Sequence, residues 1–385
     1  MATTTDWARV IGTTIVNHLR EEELTTFRRF KVFAALEASG NVVMNQGGRG
    51  FDWEVRYRNT PVSANTGESP RTFARQNLWK RAELNYRGYT TTDSIFKREM
   101  LENRGQQALV NVAAKMATRL QESMEQHLAQ EVYIDGNATG NENRFHGLES
   151  FMEAKKVSGT VQGISTAGVI GNIAAGDPFA APGDTYAGID TALGSYGGSQ
   201  LSTSYGWPNG KADPEYDFYS PVLVNWGSSY WTSSAGDTAS QKWGKNCVAA
   251  TREGIMQCKR NDTRESAIDM VLLDRKLYIG YLNALDSKER TIVTRENGLR
   301  SYGFADVFEQ DGVEISTEYA IPAETGYGIS IGNMELRCME NTLMVPEGPF
   351  YNEELQSYRY AVSVLANLKF KSPRNFFKLA NYTPV

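Results

Sequence analysis

Phe51-Asp52-Trp53-Glu54-Val55-Arg56-Tyr57-Arg58 alternates apolar and charged residues without a break. A period of two marks a strand with one face buried and the other in water. A return arm from Leu78 to Tyr89 alternates again, with Ala82, Leu84 and Tyr86 on one side and Arg81, Glu83, Asn85 and Arg87 on the other. The segment between, 59–71, is polar, carries Pro61, Gly67 and Pro70, and is long for a hairpin tip. Gly47, Gly48 and Gly50 punctuate the start of the unit. Two strands alone are marginal in water, so the apolar face must press on something. No neighbouring stretch of sequence offers a partner, and a second subunit is the expected one.

A chain of 385 residues is long enough for two or three domains and a sizeable core. Hydrophobic residues at 41% and charged residues at 22% describe an ordinary globular protein rather than a disordered or fibrous one. The net charge of −5 argues against nucleic-acid binding by bulk attraction. The sign is unevenly spread, however. Residues 49–98 hold ten Lys/Arg against five Asp/Glu, so this segment is +5 and the remainder −10. Basic hairpins on an acidic body can meet head to tail, although a solvated charged face gives the same count. Cys247 and Cys258 lie eleven apart on a predicted helix, about 16 Å along one face and too far to bridge. With Cys338 they read as buried free thiols of a reducing compartment. Residues 1–6 are polar and unbasic, unlike a signal peptide, and no apolar run approaches the roughly 20 residues of a membrane helix. A cytoplasm is the expected place of synthesis.

Residues 1–46 read as an arm with short helical pieces, one capped by Asp6 and another opened by the acidic run 21–23. Asp93 or Ser94 is predicted to cap a helix running to Tyr133, kinked or interrupted at Gly105. Beyond Gly105, Ala108, Val112, Met116, Leu120, Met124, Leu128 and Val132 recur at helical spacing, widened by Leu109, Ala113 and Ala117. That makes a rod of about 42 Å whose methionine-rich stripe is core. Asp135-Gly136-Asn137 ends it. Residues 159–210 turn to Gly, Ser, Ala and Thr, loop-rich with short strands. A helix at 238–260, a buried strand at 267–273 and a helix at 274–285 capped by Asp274 suggest a mixed α/β unit. Tyr358, Tyr360, Val362, Val364, Ala366, Leu368 and Phe370 then share the even positions of one strand of about 50 Å, far above the usual length, which Pro373 stops.

Catalytic motifs are missing. His18, His127 and His146 are scattered at no metal-site spacing, and there is no nucleophile elbow, Walker loop or dinucleotide fingerprint. Gly47-Gly48-Arg49-Gly50 looks like a phosphate loop only superficially, because a strand follows it; a hinge is the better reading. Asp135, Glu142 and Glu149 read as solvated turn acids without a regular cation-ligand spacing. No catalytic, cofactor-binding or metal-binding residue is nominated. Sites are built by folds, so missing motifs weigh against catalysis rather than forbid it.

The order of parts is more specific than any one of them. An arm, a long basic hairpin, a rod-like helix, a turn ending in Asn141-Glu142-Asn143-Arg144-Phe145-His146-Gly147-Leu148, an α/β domain and a very long C-terminal strand follow in sequence. This layout, over 47–385, resembles the major capsid proteins of tailed double-stranded DNA bacteriophages, of the Hong Kong 97 phage type. The resemblance implies a mixed α+β fold divided into an N-terminal arm (1–46), an extended E-loop hairpin (47–92), a first part of the P-domain with a spine helix over about 93–134 (93–158), an A-domain (159–335) with a Gly/Ser-rich insertion at 159–235, and the P-domain return strands with the C-terminus (336–385). Gly147-Leu148 is similar to a common post-spine feature. Asp269-Met270-Val271-Leu272-Leu273-Asp274 resembles the A-domain strand entering a helix, and Leu365-Ala366-Asn367-Leu368 with Ser372-Pro373-Arg374-Asn375-Phe376 resembles the return strand and its stop. The long 159–235 stretch departs from a minimal A-domain. No long helical segment precedes the arm, which implies a separate scaffolding protein.

By this resemblance the chain is not an enzyme. It is expected to self-assemble through hexamers and pentamers into an icosahedral shell around double-stranded DNA, built in the bacterial host cytoplasm and ending in the virion. Phe51, Trp53, Val55 and Tyr57 would lie across a neighbour's spine helix and P-domain, where aromatics bury most area. Arg56, Arg58, Arg71 and Arg75 would pair with acidic groups of adjacent subunits. The expected partners are copies of itself, scaffolding, portal and decoration proteins, and packaged DNA through non-specific contacts, with no membrane. Lys80 is a suitable crosslinking lysine without an assignable partner. An encapsulin-like compartment packaging cargo enzymes shares the implied fold and is the alternative. A hydrolase or binding module on the α/β segment is a further one, and would need a pocket with converging polar groups.

Overall fold

The computed structural model describes residues 30–56, 60, 67, 73, 75, 78–98, 106–154, 156–157, 160–161, 164–165, 169–170, 178–180, 182–191, 219–231, 236–259, 268–285, 299, 304, 307–340 and 343–382. Two sheets organise them. The strand Ser357–Phe370 is fourteen residues long, and Tyr360, Val362, Val364, Ala366, Leu368 and Phe370 are buried along it. β-Branched and aromatic side chains at period two form such a half-buried surface. One of its edges pairs with Arg87–Phe96. The other pairs first with Val345–Asn352 and then with Met334–Met339. Val42–Gln46 adds in parallel to Met334–Met339, completing five strands.

The long helix Gln106–Glu131 lies on this sheet. Met116, Leu120, Met124 and Leu128, with Val132 just beyond, are buried at the predicted spacing. The predicted start at 93 does not hold, since Arg87–Phe96 is a strand. Its Thr-rich run finds a ten-residue ladder in 357–366, and those tertiary hydrogen bonds outweigh a local capping preference. Asp93 pairs instead with Arg119 of the helix. Gly105 lies outside the described residues.

The second sheet has seven strands in the order Val307–Gln310, Val313–Thr317, Met270–Leu273, Gly326–Ile329, Phe377–Ala380, Val222–Asn225, Phe179–Ala180. Its short central strands are buried on both faces, as the run Met270–Leu273 shows. Helices Ala239–Cys258 and Arg275–Leu285 cover one face, packing Trp243, Cys247 and Tyr281 against Val224, Val271 and Phe377. Thr238 opens the first with a capping box to Gln241. Leu223, Leu272, Tyr327 and Ile329 on the other face merge with the core of the first sheet. Phe377–Ala380 sits mid-sheet here rather than with the return strand: the short turn Pro373–Asn375 redirects the chain after Phe370. The three cysteines are free and buried, and burial pushes the Cys338 thiol up to about 12. No described helix is long and apolar enough to cross a membrane.

Candidate functional site

Gly50–Arg56 and Trp79–Asn85 form the base of the hairpin, with Phe51 opposite Leu84, Trp53 opposite Ala82 and Val55 opposite Lys80. The predicted return arm is thus divided at Tyr86, after which the chain enters the strand Arg87–Phe96. Phe51, Val55, Ala82 and Leu84 are buried and Trp53 is half-buried. Their cover belongs to the same chain. The Phe51 ring packs on Tyr86 at 5.4 Å and on Trp53 at 6.0 Å. Trp53 Nε1 donates to the Lys371 carbonyl at 3.1 Å, and its ring lies 6.2 Å from Tyr186. Asn367 Nδ2 donates to the Asn85 carbonyl at 2.8 Å, so the hairpin base also covers the second face of the long strand.

At the hairpin base the apolar face therefore rests on residues of its own chain. Phe51 and Val55 keep 6% and 5% of their surface, too little for a neighbour to bury. Apart from Tyr86, the covering residues arrive roughly 130–320 positions later in the chain, where no local pattern can announce them.

The seat is also charged. Glu335 contacts Arg337 at 3.0 Å and Lys369 and Lys371 at 3.3 Å each. Burial alone would raise the Glu335 carboxyl, but the three cations outweigh it and hold it below the usual carboxylate range. Burial draws the Lys369 ammonium down. Three cations against one carboxylate leave positive charge under two rings. The Arg337 guanidinium stands 5.4 Å from the Phe51 centroid and the Lys369 ammonium 5.3 Å from that of Trp53, the geometry of cation–π attraction.

Away from the seat several described residues of the hairpin face water. Asp52 and Arg81 form an ion pair at 2.8 Å that is mostly exposed and worth little. Thr60, Gly67, Phe73, Arg75 and Trp79 are all exposed, Phe73 at 90% and Trp79 at 53%. Arg56 is exposed on the polar face of its strand. Tyr57, Arg58 and Arg71 lie outside the described residues.

Three carboxylates at the end of the long helix hold the parts together, and sequence patterns did not single out two of them. Glu131, fully buried, accepts from Arg144 Nε at 2.9 Å and Nη2 at 2.5 Å, and from the Tyr89 hydroxyl at 2.6 Å. Glu318 accepts from the Lys31 backbone amide at 2.8 Å and from the Tyr133 hydroxyl, while Lys31 Nζ donates to Ser316 Oγ at 2.7 Å. Burial pushes the Glu318 carboxyl up. Glu149, grouped with Asp135 and Glu142 by sequence, instead accepts from Lys378 Nζ at 2.6 Å and from the Tyr327 hydroxyl. Among the described residues no group of three or more His, Cys, Asp and Glu is placed to hold a metal ion. Gly147 delivers Glu149 to this junction: a Cβ there would lie 2.5–2.7 Å from the carbonyl oxygens of Glu131, Val132 and Ile134. Only glycine lets the chain press on the helix end, where Leu148 N donates to the Val132 carbonyl at 2.8 Å. Glu131 and Glu149 bind a cation and a hydroxyl of the same chain, and Glu318 a backbone amide and a hydroxyl, which is a structural use of charge.

No protein-family model matches the sequence, and no curated protein matches it. Solved structures do. A chain of the cyanophage A-1(L) capsid asymmetric unit is 13% identical, with a TM-score of 0.55 over 92% of this chain and 93% of that one. The capsid chain of the empty GTA particle is 9% identical, with a TM-score of 0.50 over 90% and 96%. The SrpI encapsulin complex of Synechococcus elongatus PCC 7942 is 9% identical over 91% and 88%, with a TM-score of 0.45. The first two establish the fold: the chain has the mixed α+β, Hong Kong 97-type fold of phage capsid chains.

Proposed function

We propose that this chain is a non-enzymatic capsid subunit that assembles through hexamers and pentamers into an icosahedral shell enclosing double-stranded DNA. One observation carries the reading: within a capsid-type fold, the hairpin is anchored at its base by its own chain, while Thr60, Gly67, Phe73 and Arg75 beyond the base are exposed, as is Trp79 at the outer end of the paired strands. Large exposed rings on a soluble protein mark surfaces that another molecule covers. The base sets the direction of the hairpin and the outer part reaches a neighbour. There Tyr57 would continue the apolar period, and Arg56, Arg58, Arg71 and Arg75 would bring positive charge to a body that sums to −10 outside residues 49–98. Each contact can be weak, because closed symmetry multiplies it.

In this reading the hairpin is the E-loop, the long helix the spine of the P-domain, and the seven-stranded sheet the A-domain. A separate scaffolding protein, a portal and decoration proteins complete the particle in a bacterial cytoplasm. DNA is met through few non-specific contacts, consistent with the acidic net charge. Size-exclusion chromatography and negative-stain microscopy of the expressed protein test the proposal. Rings or shells tens of nanometres across are the expected result. A monomer at every concentration refutes it, and shells holding protein cargo without nucleic acid replace it with the encapsulin-like compartment.

A further inference from the structure

Within the Gly/Ser-rich stretch 159–235, residues 182–191 make a contact to the hairpin. Thr185–Tyr186 and Ile189–Asp190 pair around a two-residue loop. Both loop residues have left-handed backbone, Ala187 at φ 51° and Gly188 at φ 77°. Glycine suits the second position of such a turn, but an alanine at the first is held against its preference. The Ala187 carbonyl accepts the Glu83 N–H at 3.1 Å, on the outer edge of the hairpin's return strand. Beside it the Tyr186 ring faces Trp53 at 6.2 Å.

The rear of the piece is bolted down. Asn137 Nδ2 donates to the Thr185 carbonyl at 2.5 Å, joining the turn after the long helix. Gly183 N donates to the Glu153 carbonyl at 3.0 Å, and Ser220 Oγ to that of Thr191 at 3.0 Å. The Tyr186 hydroxyl accepts the Phe370 N–H at 2.9 Å, and its carbonyl accepts the Tyr219 hydroxyl at 2.9 Å. A strained residue persists only where its surroundings over-determine it, and these bonds do so while leaving one backbone acceptor aimed at the hairpin.

We propose that 182–191 is a positioning clamp: through the Ala187 carbonyl and the Tyr186 ring it sets the angle at which the hairpin leaves the body of the chain. The clamp acts within one chain, whether or not that chain builds shells. Because the native cysteines are all buried, spin labels can be placed at Phe73→Cys on the hairpin and Met256→Cys on the body, both exposed positions. Their distance distribution is then measured on unassembled subunits, together with hydrogen exchange at the Glu83 amide. Ala187→Val, whose β-branched side chain resists positive φ, is expected to broaden the distribution and speed Glu83 exchange about tenfold, the size of one net hydrogen bond. Ala187→Asn tolerates that backbone and is expected to leave both unchanged. A folded Ala187→Val protein with parental width and exchange overturns the clamp, as does an Ala187→Asn protein that loosens equally. If Ala187→Val does not fold, the exposed Asn137→Ala decides: faster Glu83 exchange supports the clamp and unchanged exchange overturns it.

Discussion

Replacing Phe51 and Phe73 separately by alanine separates anchoring from assembly within one hairpin. Phe51 is 6% exposed and packs on Tyr86, Trp53 and the Arg337 guanidinium. Truncating a buried phenylalanine to alanine costs about 3–5 kcal/mol in lost transfer energy and residual cavity. The hairpin lies at the margin of the core and can settle partly into the gap, which places Phe51→Ala near the lower end, about 3 kcal/mol. Against a total stability on the order of 5–15 kcal/mol, that is a large fraction. Phe73, at 90% exposure, has little to lose on folding, and Phe73→Ala should change stability by no more than about 0.5 kcal/mol. The assay is urea unfolding of the unassembled subunit followed by circular dichroism, beside assembly yield by sedimentation. With a denaturant slope of about 3 kcal/mol/M, Phe51→Ala should move the midpoint down by about 1 M. Phe73→Ala should keep the midpoint and lose assembly. A Phe51→Ala subunit with a parental midpoint but no assembly would refute the reasoning, because the apolar face would then be covered by a neighbour and not by residues 335–371.

Further perturbations address the junction at the end of the long helix. Arg144→Ala leaves buried Glu131 with the Tyr89 hydroxyl but without its guanidinium, and with Arg144 35% exposed this should cost about 1.5–3 kcal/mol; Lys245→Ala, which breaks the more exposed pair with Asp237, should cost under about 1 kcal/mol in the same titration. Gly147→Ala forces a methyl against three carbonyl oxygens and should lower the thermal midpoint more than any alanine at exposed Gly244, where a Cβ meets nothing within 4 Å. Asp184 carries a pH signature: burial, with Asp135 and Glu153 nearby, pushes its carboxyl up to about 7. A folded pKa above the unfolded value of about 3.9 means that stability is full at low pH and falls as pH rises from about 4 to 7. Asp184→Asn should therefore match the parent near pH 4 and exceed its thermal midpoint increasingly up to pH 7; a constant difference across that window would contradict the assignment.

The elements read correctly from sequence are those whose signal is local. Met116, Leu120, Met124, Leu128 and Val132 announce a buried helix face by spacing alone, and the even positions of 358–370 announce a strand. Gly147-Leu148 is legible as a turn though not as the contact that brings Glu149 to Lys378. Asp93 and Ser94 have the capping chemistry of a helix start, while the partner that makes 93–96 a strand, 357–360, lies more than 250 residues away. Glu318 meets Lys31 and Tyr133 from 287 and 185 positions away, and Glu131 takes Arg144 across a turn of 13 residues, so neither carboxylate leaves a periodic trace.

Most secondary elements, their order and the amphipathic faces they must bury follow from sequence, because periodicity and turn chemistry act over a few residues; the strand Arg87–Phe96 is the exception. Which surface each face meets was decided only by tertiary structure. The hairpin's apolar side is closed by Arg337, Lys369 and Lys371, and its return strand is met by Ala187. Phe377–Ala380 enters the middle of the second sheet rather than the edge of the first. The hydrophobic drive that demands burial is non-directional, so it compels a partner without choosing one. The choice comes from chain connectivity and packing shape, which exist only once distant segments meet.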